Sequence, residues 1–420
     1  MNILVSYSKK HFDPIQHQPP HTSSGIIAKD IYNFCANINR ISSFEYIDAE
    51  DFNSIRSISK NIDIFIGIDV NFISISKYVM AKQSILVAVN MHPVFRRKVI
   101  RECIESNIPA SSLHTSDGIY TLSKAANFAD KILLIGNTLT LKSYSNVYRN
   151  TKLVITAKYL TPNLQFKFSD RRDNVLIFVG NINFRKCCDI YLTLISEAKV
   201  KFPEIKFILI GRPVNNHWKN IFKSVIDLKD SNLNLVDWID PYSETFSKIL
   251  AGTKLALFLS REEGLSGSYL LISQSGIPIM TTKQVGLFPI RELEFDLDND
   301  RPTEIEKFTN LLHLSIEELD ELAKKSKTHT DKLLHNENSI SEALALLIYS
   351  KTTEKNFRGL AKYKVFTFIH SFPDALSYFY LKAILKGYFY YLRQKLVFVY
   401  LIKIKYKLPS HRATRDSGLR

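Results

Sequence analysis

The chain has 420 residues, 45% of them hydrophobic and 23% charged, and carries a net charge of +15. That length calls for two or three domains rather than a single core, and the apolar content excludes wholesale disorder. Four cysteines, two isolated (Cys35, Cys103) and two adjacent (Cys187, Cys188), fit neither a metal-ligand spacing nor a disulfide framework, so they read as reduced thiols of a cytosolic protein.

MNILVSYSKK begins the chain as a short strand without the pattern of a signal peptide, and no run of about 18 uncharged apolar residues marks a membrane span. IDIFIGI, SILVAVN and KILLIG read as further buried strands, with KLVIT at 152–156 as a late one. Helical patterns such as SGIIAKDIYNFCANI and VFRRKVIRECIESN lie between them, and TPNLQFKFSDRRDN reads as a linker. The alternation then restarts. VLIFVG (175–180), KFILIG (206–211), LNLVDWI, KLALFLS and IPIMTT predict strands, with amphipathic helices between them and three more after 302. Three regions follow: a first α/β domain over 1–165, a second over 166–350 with terminal helices, and a tail over 351–420. The tail holds 15 Lys/Arg against 3 Asp/Glu, so nearly all the excess positive charge is there.

In open α/β sheets ligands bind beyond the carboxyl ends of the strands, so the turns after the strands are the candidate chemistry. After the strand ending at Gly180, Arg185 and Lys186 stand at a helix start, two cations suited to a diphosphate. Gly211 ends the next strand, with Arg212 and His217 behind it. After KLALFLS comes SREEGLSGS, with Ser260, Glu262, Glu263, Gly264, Leu265, Ser266 and Gly267 before a helix. A carboxylate in such a turn either binds sugar hydroxyls or caps the helix, and the density of small residues favours a site. In the first domain a long loop carries His11, Asp13, His17 and His21, spacings that match no standard metal pattern. His92, in the Met91-His92-Pro93 that follows SILVAVN, stands at a strand end as either a general base or substrate contact or a structural histidine.

These residues resemble a GT-B glycosyltransferase, nearest to glycosyltransferase family 4. Gly180 and Lys186 keep that family's spacing of a strand-ending glycine and a lysine six residues on. Ser260, Glu263, Gly264, Gly276 and Pro278 fit its Ser-x-x-Glu-Gly turn and Gly-x-Pro strand. Three positions depart from it: Asn181 replaces an arginine, Cys187 a glycine, and Leu271 a second glutamate. The resemblance implies two Rossmann-like domains facing across a cleft, with a C-terminal helical basic and aromatic extension. It also implies retaining, metal-independent transfer from a nucleotide diphosphate sugar to a glycan or lipid-linked acceptor, in surface polysaccharide or lipopolysaccharide synthesis. Lys186 and Arg185 would hold the diphosphate and Glu263 the donor sugar. Gly25, Gly180, Gly211, Gly264, Leu265 and Ser266 would line the donor, and His92 would lie at the catalytic centre. No cofactor and no metal are expected.

The tail interleaves Lys and Arg with Phe and Tyr, a mixture suited to an anionic membrane surface. This places the chain in the cytoplasm, peripheral on the inner face of the membrane, with no nucleic-acid partner. The competing expectations are that the tail packs back as a helix on the first domain, and that the whole chain is a non-catalytic GT-B-like scaffold.

Overall fold

The computed structural model describes residues 1–350 except 16–21, 39–41, 59, 109–115, 149–150, 162–163, 165, 227–231 and 286. The basic aromatic tail and the expectations attached to it lie outside the described residues. Met1–Thr353 form one compact unit.

The first sheet is built from β1 (Asn2–Tyr7), β2 (Ser43–Asp48), β3 (Ile64–Gly67), β4 (Gln83–Ala88), β5 (Lys131–Ile135) and β6 (Leu153–Ala157). Its helices are α1 (Ser23–Asn37), α2 (Phe52–Arg56), α3 (Phe72–Tyr78), α4 (Pro93–Glu105), α5 (Ser116–Phe128) and α6 (Thr138–Tyr148). The six strands lie in the order β2-β1-β3-β4-β5-β6 and every pairing is parallel. Parallel strands covered on both faces must be apolar throughout. IFIG of β3 and KILLI of β5 are buried at every position.

The second sheet comprises β7 (Asn174–Ile182), β8 (Lys206–Pro213), β9 (Leu233–Val236), β10 (Thr253–Phe258) and β11 (Ile279–Thr281). Its order is β11-β10-β7-β8-β9, again wholly parallel. The helices are α7 (Cys188–Lys201), α8 (Asn216–Ile226), α9 (Glu244–Ala251), α10 (Gly267–Gln274), α11 (Arg301–His313), α12 (Ile316–His335) and α13 (Ile340–Tyr349). Serine caps α12 and α13, each with a reciprocal glutamate three residues on (Ser315 with Glu318, Ser339 with Glu342).

The last helix returns to the first domain. α13 packs on β5, β6 and α1, and the buried Lys131 ammonium donates to the carbonyls of Leu347 and Ser350 at its end. One apolar cluster therefore runs from Ile3, Ile85 and Leu133 through Leu344 and Leu347 to Leu176, Ala256 and Leu270. Among the described residues no helix is long and apolar enough to cross a membrane.

Candidate functional site

Each sheet changes direction once. The first does so between β1 and β3, and the second between β7 and β10, whose neighbours are wound on opposite sides. Such switch points open the crevice in which doubly wound sheets take their ligands. In the second domain the crevice is bounded by the turns after β7 and β10, the two that carry Arg185, Lys186 and Glu263.

The β7 turn is shaped by its backbone. Gly180 and Gly211 do not end their strands: β7 runs on to Ile182 and β8 to Pro213, with a register shift between Phe178 and Gly180. Gly180 takes φ +70, in the left-handed region, and a side chain added there would meet nothing within 4 Å. Conformation, not crowding, is what requires glycine. The Asn183 side chain then accepts the Lys186 N–H at 3.0 Å, closing a single 3-10 turn over Phe184–Lys186. Cys187 follows at φ 55, ψ 31 and stands before α7. A left-handed residue here is least strained as glycine, which explains the residue that the resembling family keeps at this place.

The β10 turn is braced onto the β7 turn from below. Arg261 makes a two-pronged pair with Asp189 of α7, both contacts at 2.8 Å, and donates to the Phe184 carbonyl at 2.7 Å. Its guanidinium stacks 3.7 Å from the Phe184 ring centroid. Ser260 Oγ donates to the carbonyls of Arg185 (3.2 Å) and Glu262 (2.9 Å). On this base the charged groups converge. Lys186 Nζ pairs with Glu263 Oε2, and Arg185 Nη1 lies 3.2 Å from the same oxygen while donating to the Glu262 carbonyl at 2.8 Å. Burial pushes the Glu263 carboxyl up, but Lys186 and Arg185 outweigh it and hold it below the ordinary carboxylate range.

The first domain closes on the same turn. Arg96 of α4 grips Glu262 with Nε on Oε2 at 2.7 Å and Nη2 on Oε1 at 2.8 Å, and the Glu262 side chain is 0% exposed. A Cβ on Gly264 would overlap the Val89 carbonyl oxygen and stand 3.1 Å from that of Ile135, at the ends of β4 and β5. A Cβ on Gly267 would overlap Ser23 Oγ and stand 2.8 Å from Tyr159 Oη. Tyr159 also donates to the Leu265 carbonyl at 3.0 Å. The small residues of this turn thus make room for the first domain, Gly264 for its backbone and Gly267 for the side chains of Ser23 and Tyr159. Ser266 caps α10, its Oγ accepting the Tyr269 N–H at 3.4 Å.

The remaining candidates are spread more widely. Gly25 is buried in the first turn of α1 and donates its N–H to Thr22 Oγ1 at 3.0 Å. Gly211 is buried in β8, paired in register with Gly180. Arg212, near the end of β8, pairs with Asp237, and both side chains are exposed. His92 is 2% exposed and caps α4. Its Nδ1 accepts the Val94 N–H at 3.2 Å, its Nε2 is 3.1 Å from Tyr148 Oη, and Tyr144 meets its ring edge-on. Leu271, where the resembling family has its second glutamate, is 4% exposed within the shared apolar cluster. His17 and His21 lie outside the described residues.

Arg96, Asp189 and Tyr159 carry no signal in the sequence that marks them as part of this site, and Arg261, although it lies inside the SREEGLSGS turn, gives no sign there of its partners. Each acts on a partner far away in the chain, which spacing along the sequence does not reveal.

No family model and no curated protein matches the sequence. Solved structures do. A mutant of S. aureus TarM, in complex with UDP among other ligands, shares 15% identity over 68% of this chain with a TM-score of 0.48, and the chain spans only 55% of its length. WaaG, a glycosyltransferase involved in lipopolysaccharide biosynthesis, matches at 11% identity over 83% of this chain and 100% of its own, with a TM-score of 0.51. An E. coli structure, trehalose-6-phosphate bound with UDP-2-fluoro glucose, matches at 9% identity over 83% of this chain and 98% of its own, with a TM-score of 0.53. The two parallel-sheet domains and their order along the chain give this protein the GT-B glycosyltransferase fold.

Proposed function

We propose that the chain is a glycosyltransferase that takes a sugar from a nucleotide diphosphate donor and passes it to a hydroxyl of a glycan or lipid-linked acceptor. One observation carries the reading. A buried and a half-buried cation from the β7 turn and a carboxylate from the β10 turn meet at the switch point of the second sheet. Lys186 and Arg185 would neutralise the departing diphosphate, an electrostatic contribution set in place before the reaction. Gly180, with open space above it, would let the diphosphate approach the backbone, and Gly211 lies beside it in register. The bound UDP-2-fluoro glucose of a structure with the same fold supports the donor class. This assignment makes the transfer metal-independent and places Glu263 on the donor sugar, with retention of configuration as in the resembling family. His92, buried as the cap of α4 with both ring nitrogens engaged, would act on this site by positioning α4, and Gly264 and Ser266 would shape the turn that carries Glu263.

The Lys- and Tyr-rich tail supports a further part of the reading, contact with an anionic membrane surface at the cytoplasmic face and a lipid-linked acceptor in surface polysaccharide or lipopolysaccharide synthesis. Removing 357–420 should release the protein from anionic vesicles, and retention of the truncated chain on them would refute that part.

The burial of Leu271 favours one second reading, a GT-B-like scaffold that binds no donor. Thermal unfolding with a panel of nucleoside diphosphates and nucleotide sugars separates the two. Stabilisation by one base, lost in Lys186→Ala, supports the transferase. No stabilisation by any of them supports the scaffold.

A further inference from the structure

The two cations assigned to the diphosphate already hold an anion. Lys186 Nζ and Arg185 Nη1 converge on one oxygen, Glu263 Oε2, and the three side chains are only 8%, 16% and 14% exposed. A phosphate oxygen competes for the same donors with the same charge-assisted bonds. We propose that Glu263 is an internal occupant of the anion site, which fills the phosphate position while the site is empty and is displaced when a diphosphate arrives. The identity of that ligand rests on the transferase reading; the competition itself needs only a diphosphate.

The surroundings say which group moves. Arg185 is tied to the Glu262 carbonyl at 2.8 Å, and the Lys186 ammonium stands 4.8 Å over the Phe258 ring, so each cation has a second contact besides Glu263. The turn's backbone is fixed, because Arg96 grips Glu262 and Gly264 is wedged against the ends of β4 and β5. The Glu263 carboxylate, by contrast, is hydrogen-bonded among the described residues to these two cations alone. The adjacent acidic residues therefore divide the work: Glu262 anchors the turn to the first domain, and Glu263 exchanges with the ligand. A buried pair is poorly screened, so the exchange should weaken diphosphate binding appreciably in the unaltered protein.

Calorimetric titration of the full chain with inorganic pyrophosphate at neutral pH tests this. Glu263→Gln, which removes the competing charge at nearly constant shape, should bind at least about tenfold more tightly than wild type. Lys186→Ala should bind at least about tenfold more weakly. Glu263→Asp keeps the charge, protecting the fold, but draws it back from Lys186, and should bind several-fold more tightly. Glu102→Gln, whose carboxylate faces Arg261 instead, serves as the charge control and should stay within about twofold of wild type. Loss of binding in Lys186→Ala without tightening in either Glu263 variant would overturn the displacement while leaving the anion site standing. Equal tightening in Glu102→Gln would reduce the effect to net charge and overturn it too. Absence of pyrophosphate binding in every protein would overturn both the displacement and the donor site.

Discussion

Replacing Arg96 by methionine should damage the protein more than removal of any exposed ion pair. Arg96 and Glu262 meet in a two-pronged pair at 2.7 and 2.8 Å, with side chains 10% and 0% exposed. Methionine fills most of the space but leaves the Glu262 carboxylate without its counter-ion and out of reach of water. Breaking a buried pair in this one-sided way costs about 3–5 kcal/mol. For a body of this size that corresponds to a fall of roughly 4–7 °C in melting temperature. An exposed pair such as Lys10 with Glu50 (61% and 47% exposed) should contribute at most about 1 kcal/mol. The double replacement Arg96→Met with Glu262→Leu removes both charges and should recover most of the loss, because a well-packed apolar pair of similar volume is often neutral. Thermal unfolding of the two single variants and the double variant forms a cycle that isolates the coupling. A drop below about 2 °C in Arg96→Met, or a double variant as unstable as the single, would refute the claim that this pair fastens the β10 turn to the first domain.

Other expectations follow from the same geometry. Gly264→Ala places a methyl against the Val89 and Ile135 carbonyls and should cost about 1–3 kcal/mol by overpacking, with faster amide exchange across 260–267; an unchanged melting temperature and exchange pattern would count against the close approach. The Glu263 carboxyl is held below its ordinary value of 4.5, so the stability it contributes is complete above that pH and is lost as pH falls through the lowered value. The stability gap between wild type and Glu263→Gln should accordingly be constant above about pH 5 and shrink below about 4.5, and denaturant midpoints across that range would expose a gap of the opposite slope.

Most of the sheet architecture could be read from the residues, because buried parallel strands announce themselves as unbroken apolar runs. VLIFVG, KFILIG and KLALFLS each became strands of the second sheet. β2 is the strand that the apolar pattern does not mark. Its sequence SFEYID is only half-buried at the sheet edge, so it lacks the continuous apolar signal of its neighbours. The candidate site was readable as a pair of turns but not as a set of partners. That Arg185, Lys186 and Glu263 belong to one region follows from their positions after two strands. That Glu263 rests on both cations, while Glu262 turns away to Arg96, does not, since 166 residues separate Arg96 from its partner. The glycines show the same limit. Gly264 and Gly267 suggested room for a ligand, and the room they leave is filled by Val89, Ile135, Ser23 and Tyr159 of the other domain.

The central claim is that Lys186 and Arg185 stabilise a departing nucleoside diphosphate. The most direct measurement is release of nucleoside diphosphate from a panel of nucleotide sugars by wild type and Lys186→Ala, with lipid-linked and glycan acceptors present. The account predicts that one donor is consumed by the wild type, and that the variant is slower by at least about a hundredfold, the scale of losing one preorganised donor of charge stabilisation. Consumption at equal rates by the two proteins, or no consumption of any donor by either, would contradict it.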